Sequence, residues 1–157
     1  MAFLPLRKGF TLLELVVVMG VIVLIATFTV PTYQLLLSQL ELSSAVDQVS
    51  GQVRYAQQKT VSEQTIYGVT FTSGSTSVPL FSYNAGTSTK TTVSTVTLPG
   101  YIQIDVVSLS NQTDIRFATS GAPNYSGYIT LRDTVRNKSR KVEIRPSGTV
   151  ISNTAEF

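Results

Sequence analysis

The sequence predicts an α+β fold in which one long N-terminal hydrophobic α-helix packs on an antiparallel β-sheet C-terminal domain. Three observations carry that expectation. An apolar run opens the chain, a one-sided apolar stripe of helical period continues it, and past residue 65 the apolar period switches to two. At 157 residues the chain holds one globular domain or a smaller domain with an appendage.

The first element is RKGFTLLELVVVMGVIVLIATFTVP, residues 7–31. Residues 12–30 are broken only by Glu14, Gly20, Thr27 and Thr29, and no charge occurs between Glu14 and Glu41. At about 1.5 Å of rise per residue this run spans ~28 Å, close to the hydrocarbon thickness of a bilayer. A core helix of a globular protein needs a polar face, and this run has none. A cleaved secretory signal has a shorter apolar region followed by a small-residue site. Membrane insertion is therefore the reading. Arg7 and Lys8 precede the run, so the N-terminus stays in the cytoplasm and everything after Pro31 is exported.

Glu14 is out of place in such a run. An acid at the centre of a spanning helix costs roughly 2.5–3.5 kcal/mol, less near an end. Thr11 and Glu14 have the T-x-x-E spacing of a capping box, and a first-turn carboxylate meets the positive end of the helix dipole. An intramembrane acid is also a functional candidate that needs a partner. No cation follows within the run. A cut after Gly9 would leave the α-ammonium of Phe10 one turn from Glu14, and a neighbouring copy would offer the same cation.

Beyond Pro31, Leu42, Val46, Val49, Val53 and Ala56 recur at steps of three and four, with Glu41, Asp47, Gln48 and Gln52 between them. This predicts the same helix continuing in water to about residue 64, at a local cost of about 1 kcal/mol for Gly51. Strands are predicted over residues 66–71, 80–83, 93–98, 101–107, 114–117, 128–131, 141–145 and 149–152. Turn signals stand at Pro99-Gly100, in residues 121–124 and at Pro146-Ser147-Gly148. Residues 72–98 hold 14 Ser or Thr and one charge, Lys90, and read as an exposed loop with an edge hairpin.

Composition narrows the chemistry. There is no Cys and no His, which removes thiolate nucleophiles, imidazole bases and the usual zinc ligands. Only a Ser–Lys dyad or a carboxylate pair would remain for an enzyme, and no spacing supports either, so neither catalysis nor a metal or other cofactor is expected. Residues 132–145 carry six cations and two acids, +4 in a chain of net +3. Arg132, Arg136, Lys138, Arg140, Lys141 and Arg145 are thus candidates for phosphate contact. Strand alternation puts Lys141, Glu143 and Arg145 on one face and Val142 and Ile144 on the other, so Glu143 partly cancels its neighbours. Asn111, Asn124 and Asn137 head N-x-S/T triplets of the kind that arise by chance in a Ser/Thr-rich chain.

The stretch Lys8-Gly9-Phe10-Thr11-Leu12-Leu13-Glu14 with the following apolar run closely resembles the class III signal of type IV prepilins and pseudopilins. The resemblance implies a pilin-like fold and a leader over residues 1–9, cut between Gly9 and Phe10 by a membrane aspartic peptidase, with N-methylation of Phe10. It implies a transmembrane and filament-core helix over 10–31 bent at Pro31, an amphipathic continuation over 32–64, and a β-rich exported domain over 65–157. Glu14 would pair with a neighbour's N-terminus during assembly. The segment IRFATSGAPNYSGYITLRDTVRNKSRKVEIRPSGTVIS resembles the C-terminal part of GspH/FimT-type minor pseudopilins, and VRYAQQKTVSEQ resembles the end of their long helix. Implied partners are other pilins in a filament, the prepilin peptidase and the inner-membrane assembly platform. The implied place is the bacterial inner membrane, crossed once, and then a type II secretion pseudopilus or type IV pilus-like filament, at initiation or tip. A DNA-binding pilin of a competence system is the alternative. DNA-binding relatives carry arginines straight after the C-terminal glycine, whereas Thr149-Val150-Ile151 follows Gly148 here.

Overall fold

A computed structural model of the chain describes residues 9–153. Arg7 and Lys8, with the rest of the expected leader before Gly9, lie outside the described residues, and so does the side chain of Pro31. The elements run α1 (Leu12–Glu63), β1 (Ile66–Thr70), β2 (Ser77–Asn84), β3 (Thr89–Thr97), β4 (Ile102–Ser108), β5 (Asp114–Arg116), β6 (Gly127–Asp133), β7 (Lys138–Ile144) and β8 (Val150–Asn153). The chain divides into two compact units, Met1–Gln39 and Leu40–Phe157.

In the first unit the side chains of residues 10–29 are exposed. Leu12–Thr29 is long and apolar enough to cross a membrane. Its two threonines do not oppose that. Thr27 Oγ1 donates to the Val23 carbonyl at 2.8 Å and Thr29 Oγ1 to the Ile25 carbonyl at 2.9 Å. Their hydroxyls are satisfied inside the helix, as a solvent without hydrogen-bonding partners requires.

In the second unit Leu42, Ala45, Val46, Val49, Val53 and Ala56 form the buried stripe of α1. Every stripe position expected from the sequence is buried, and Ala45 joins them. The stripe meets Val69, Val78 and Leu80 from one sheet, Phe71 just past β1, and Ile102, Ile104, Ile129, Leu131, Val142 and Ile144 from the other sheet in a single apolar cluster. Complete burial of each larger side chain contributes about 1.5–3 kcal/mol, which makes this cluster the main source of stability.

The helix ends at Glu63 because Gln64 turns to φ 53°, a left-handed conformation that closes the last turn. Thr60 Oγ1 donates to the Ala56 carbonyl at 2.8 Å and accepts the Tyr67 amide at 3.1 Å, tying β1 to the last turn. Lys59 and the Tyr67 hydroxyl both donate to Glu63, and these bonds, that of Lys59 first, hold the Glu63 carboxyl below the usual carboxylate range.

All eight expected strands form, but in two sheets rather than one. Their orders are β3-β2-β1-β5 and β4-β6-β7-β8, and every pairing is antiparallel. The chain leaves the first sheet after β3, builds β4 in the second, returns for β5 and then completes the second. β2 starts three residues before the expected position and includes Pro79. The proline is tolerated because β1 pairs with β2 only as far as Leu80, so Pro79 faces a single neighbour, Thr95 of β3. β3 is an edge strand, as the hairpin reading of residues 72–98 anticipates. Asn84 Oδ1 closes the β2–β3 turn by accepting the Gly86 amide at 2.9 Å.

Candidate functional site

The N-terminal site is built on the first turn of α1. Thr11 Oγ1 accepts the Glu14 amide at 3.2 Å, and the Thr11 carbonyl accepts the Leu15 amide at 3.2 Å, so Thr11 is the N-cap. This is one half of the expected capping box. The Glu14 carboxylate does not return the bond to the Thr11 amide, and it has no ion-pair partner among the described residues. The capping box therefore does not consume its charge. Gly9 and Phe10 precede the helix and are exposed, Phe10 at 76%.

Four of the six basic residues of 132–145 have partners of their own. Arg132 lies 3.9 Å from Asp105, and its Nε donates to Asn137 Oδ1 at 3.0 Å. Arg136 pairs with Asp133 at 3.3 Å. Lys141 sits over the Tyr128 ring at 3.9 Å, and Arg145 lies 3.5 Å from Glu143. Lys138 and Arg140 have no acidic partner among the described residues. Val142 and Ile144 point into the core, while Lys141, Glu143 and Arg145 lie on the other face, as alternation predicts.

Sequence reasoning missed Asp133. Its side chain is only 2% exposed, and Oδ1 accepts the amides of Val135 at 2.9 Å and Arg136 at 3.1 Å. It shapes the β6–β7 turn, in which Asn137 takes φ 57°. The D-x-x-x-N spacing between two strands was the available signal. Arg136 is thus the counter-ion of a turn carboxylate rather than part of a free cationic stripe.

A second convergence joins the Gly121 and Gly148 loops and the start of β8 to the C-terminal part of α1. Gln57 Nε2 donates to the Gly121 carbonyl at 2.8 Å, and Arg54 Nη2 donates to the Val150 carbonyl at 3.0 Å. Gly148 has φ 80°, and a Cβ there would lie 2.2 Å from Gln57 Nε2 and 3.0 Å from the Gly121 carbonyl oxygen. The final glycine of the C-terminal pattern is required both by its backbone conformation and by the close approach of Gln57.

The comparisons with known proteins agree with this architecture. The prokaryotic N-terminal methylation motif matches residues 5–30, and the type II transport protein GspH family matches residues 45–148. The second match covers 104 of 157 residues, and the chain belongs to the GspH family. It is a minor pseudopilin-type subunit, and the family is one of structural filament proteins rather than enzymes. No match is found among curated proteins. The minor pseudopilin EpsH of the Vibrio cholerae type 2 secretion system has a similar fold, with TM-score 0.59 and 11% identity over 72% of this chain and 96% of that one. The type IV minor pilin FimU of Pseudomonas aeruginosa gives TM-score 0.60 and 12% identity over 76% of this chain and 95% of that one.

Proposed function

We propose that the chain is cut between Gly9 and Phe10, methylated on Phe10, and assembled into a type II secretion pseudopilus or related filament, at its initiation or tip. The domain boundaries follow from that: a leader over 1–9, a membrane and filament-core helix over 10–31, its amphipathic continuation over 32–64, and an exported domain over 65–157. The leader stays in the cytoplasm, and the peptidase and the inner-membrane assembly platform are the partners of the membrane stage. Pro31 lacks the amide that would bond the Thr27 carbonyl, so we place the helix bend there.

The observation that carries this reading is Glu14. It stands on an apolar, wholly exposed segment, its amide is capped by Thr11, and its carboxylate has no partner among the described residues. Burying an unpaired carboxylate among packed apolar helices is costly, and a neighbour's N-terminal ammonium removes the cost at one register only. Glu14→Ala should leave membrane insertion, processing and the melting of the exported domain unchanged. Incorporation into filaments, scored by shearing and immunoblotting, should be abolished. Normal incorporation would leave Glu14 no assembly role.

A further inference from the structure

The first sheet carries a groove of about 440 Å³ that the filament reading does not use, lined by Ile66, Tyr83, Arg116, Phe117, Pro123 and Tyr125 among others. Apart from Arg116 its walls are apolar, aromatic or uncharged. Arg116 is held from several sides. Its guanidinium lies 4.6 Å over the Tyr83 ring, its Nε is 3.3 Å from Asp114 Oδ2, and its own amide donates to Asn124 Oδ1 at 2.7 Å. Gly68 stands between Phe81 and Arg116 in the sheet register. A Cβ on Gly68 would lie 2.6 Å from Phe81 Cζ and 3.0 Å from Arg116 Cγ, so the bare glycine lets both side chains lie across β1.

The charge is not balanced. Asp114, with its side chain 9% exposed, is flanked by Lys90 and Arg116, each at 3.3 Å, which leaves two cations around one carboxylate. Lys90 is also committed to the Phe81 ring at 4.9 Å. Neither cation makes an aligned hydrogen bond to Asp114 Oδ2, and the terminal nitrogens of Arg116 have no acceptor among the described residues. A stacked guanidinium with a free planar edge above apolar walls matches a carboxylate in both charge and shape. A single unspent cation is too little for a polyphosphate chain, which needs several. The apolar walls call for a partner with apolar side chains around its acid.

We propose that this groove docks a segment of another protein that presents a carboxylate flanked by apolar residues, with Arg116 as the carboxylate clamp. The proposal stands on the groove alone and does not depend on how the N-terminus is processed or assembled.

The test uses the full chain in lipid nanodiscs with ¹⁵N-labelled arginine, titrated with acetyl-Leu-Glu-Leu-amide and acetyl-Leu-Gln-Leu-amide. The glutamate peptide should shift the Arg116 Nε resonance saturably and bind about tenfold or more tightly than the glutamine peptide. Arg116→Gln should erase that difference, and Tyr125→Ala should weaken both peptides alike. The comparison of the two peptides on the unmodified protein stands even if a variant fails to fold. Equal binding of the two peptides, or no saturable shift, overturns the proposal. An equal shift with inorganic phosphate overturns it in favour of an unselective anion site. Arg116-dependent self-association overturns it in favour of a second copy as occupant.

Discussion

At the scale of single residues the chain spends unusual residue types where geometry forces them. Gly148 combines a left-handed backbone with the approach of Gln57, whose amide reaches on to the Gly121 carbonyl. An alanine there meets both penalties, so Gly148→Ala should lower the stability of the α+β unit by about 2–4 kcal/mol in a denaturant titration. A loss below about 1 kcal/mol would mean that Gln57 moves aside freely. The glycine was visible in the sequence as part of a pattern, but the reason for it was not. Gln57 and Gly148 are far apart in the chain, and no local propensity reports which helix side chain meets which loop. The same holds for Asp114, Lys90 and Arg116, which come together only in the sheet order β3-β2-β1-β5. Glu14, by contrast, was legible from its immediate neighbours, since an acid in an apolar run is anomalous wherever the run is placed.

At the scale of elements, periodicity located α1 and all eight strands but could not assign the strands to sheets. Alternation tells which side chains face inward. It does not tell that β4 leaves the first sheet and that β5 returns to β1. β3 began earlier than expected because Thr89, Lys90 and Thr91 show no apolar alternation, and the strand is held by its pairing with β2. The helix reached Glu63, one residue short of the expected end, where Gln64 turns left-handed. Gly51 sits inside α1 on its exposed side, with nothing within 4 Å of where a Cβ would stand. Gly51→Ala should therefore stabilise the isolated subunit by about 0.5–1 kcal/mol, read as a higher melting temperature. A destabilised variant would show that the glycine serves a close contact absent from the single chain.

At the scale of the whole molecule, a helical segment long and apolar enough to cross a membrane precedes an α+β unit in the chain, and the chain belongs to a family of filament subunits. Four of the six cations of residues 132–145 are engaged by Asp105, Asp133, Glu143 or the Tyr128 ring, which argues against a free phosphate-binding stripe. The full chain in nanodiscs should bind duplex DNA weakly or not at all at physiological salt. Micromolar binding with a steep salt slope, lost on replacing Lys138 and Arg140 by alanine, would reinstate a DNA-uptake role. Maturation into a methylated filament subunit underlies the proposed function. Mass spectrometry of the protein extracted from membranes of a host that carries the peptidase tests it most directly. The account predicts a chain whose first residue is N-methylated Phe10; an intact Met1 terminus, or a cut after Thr32, would contradict it.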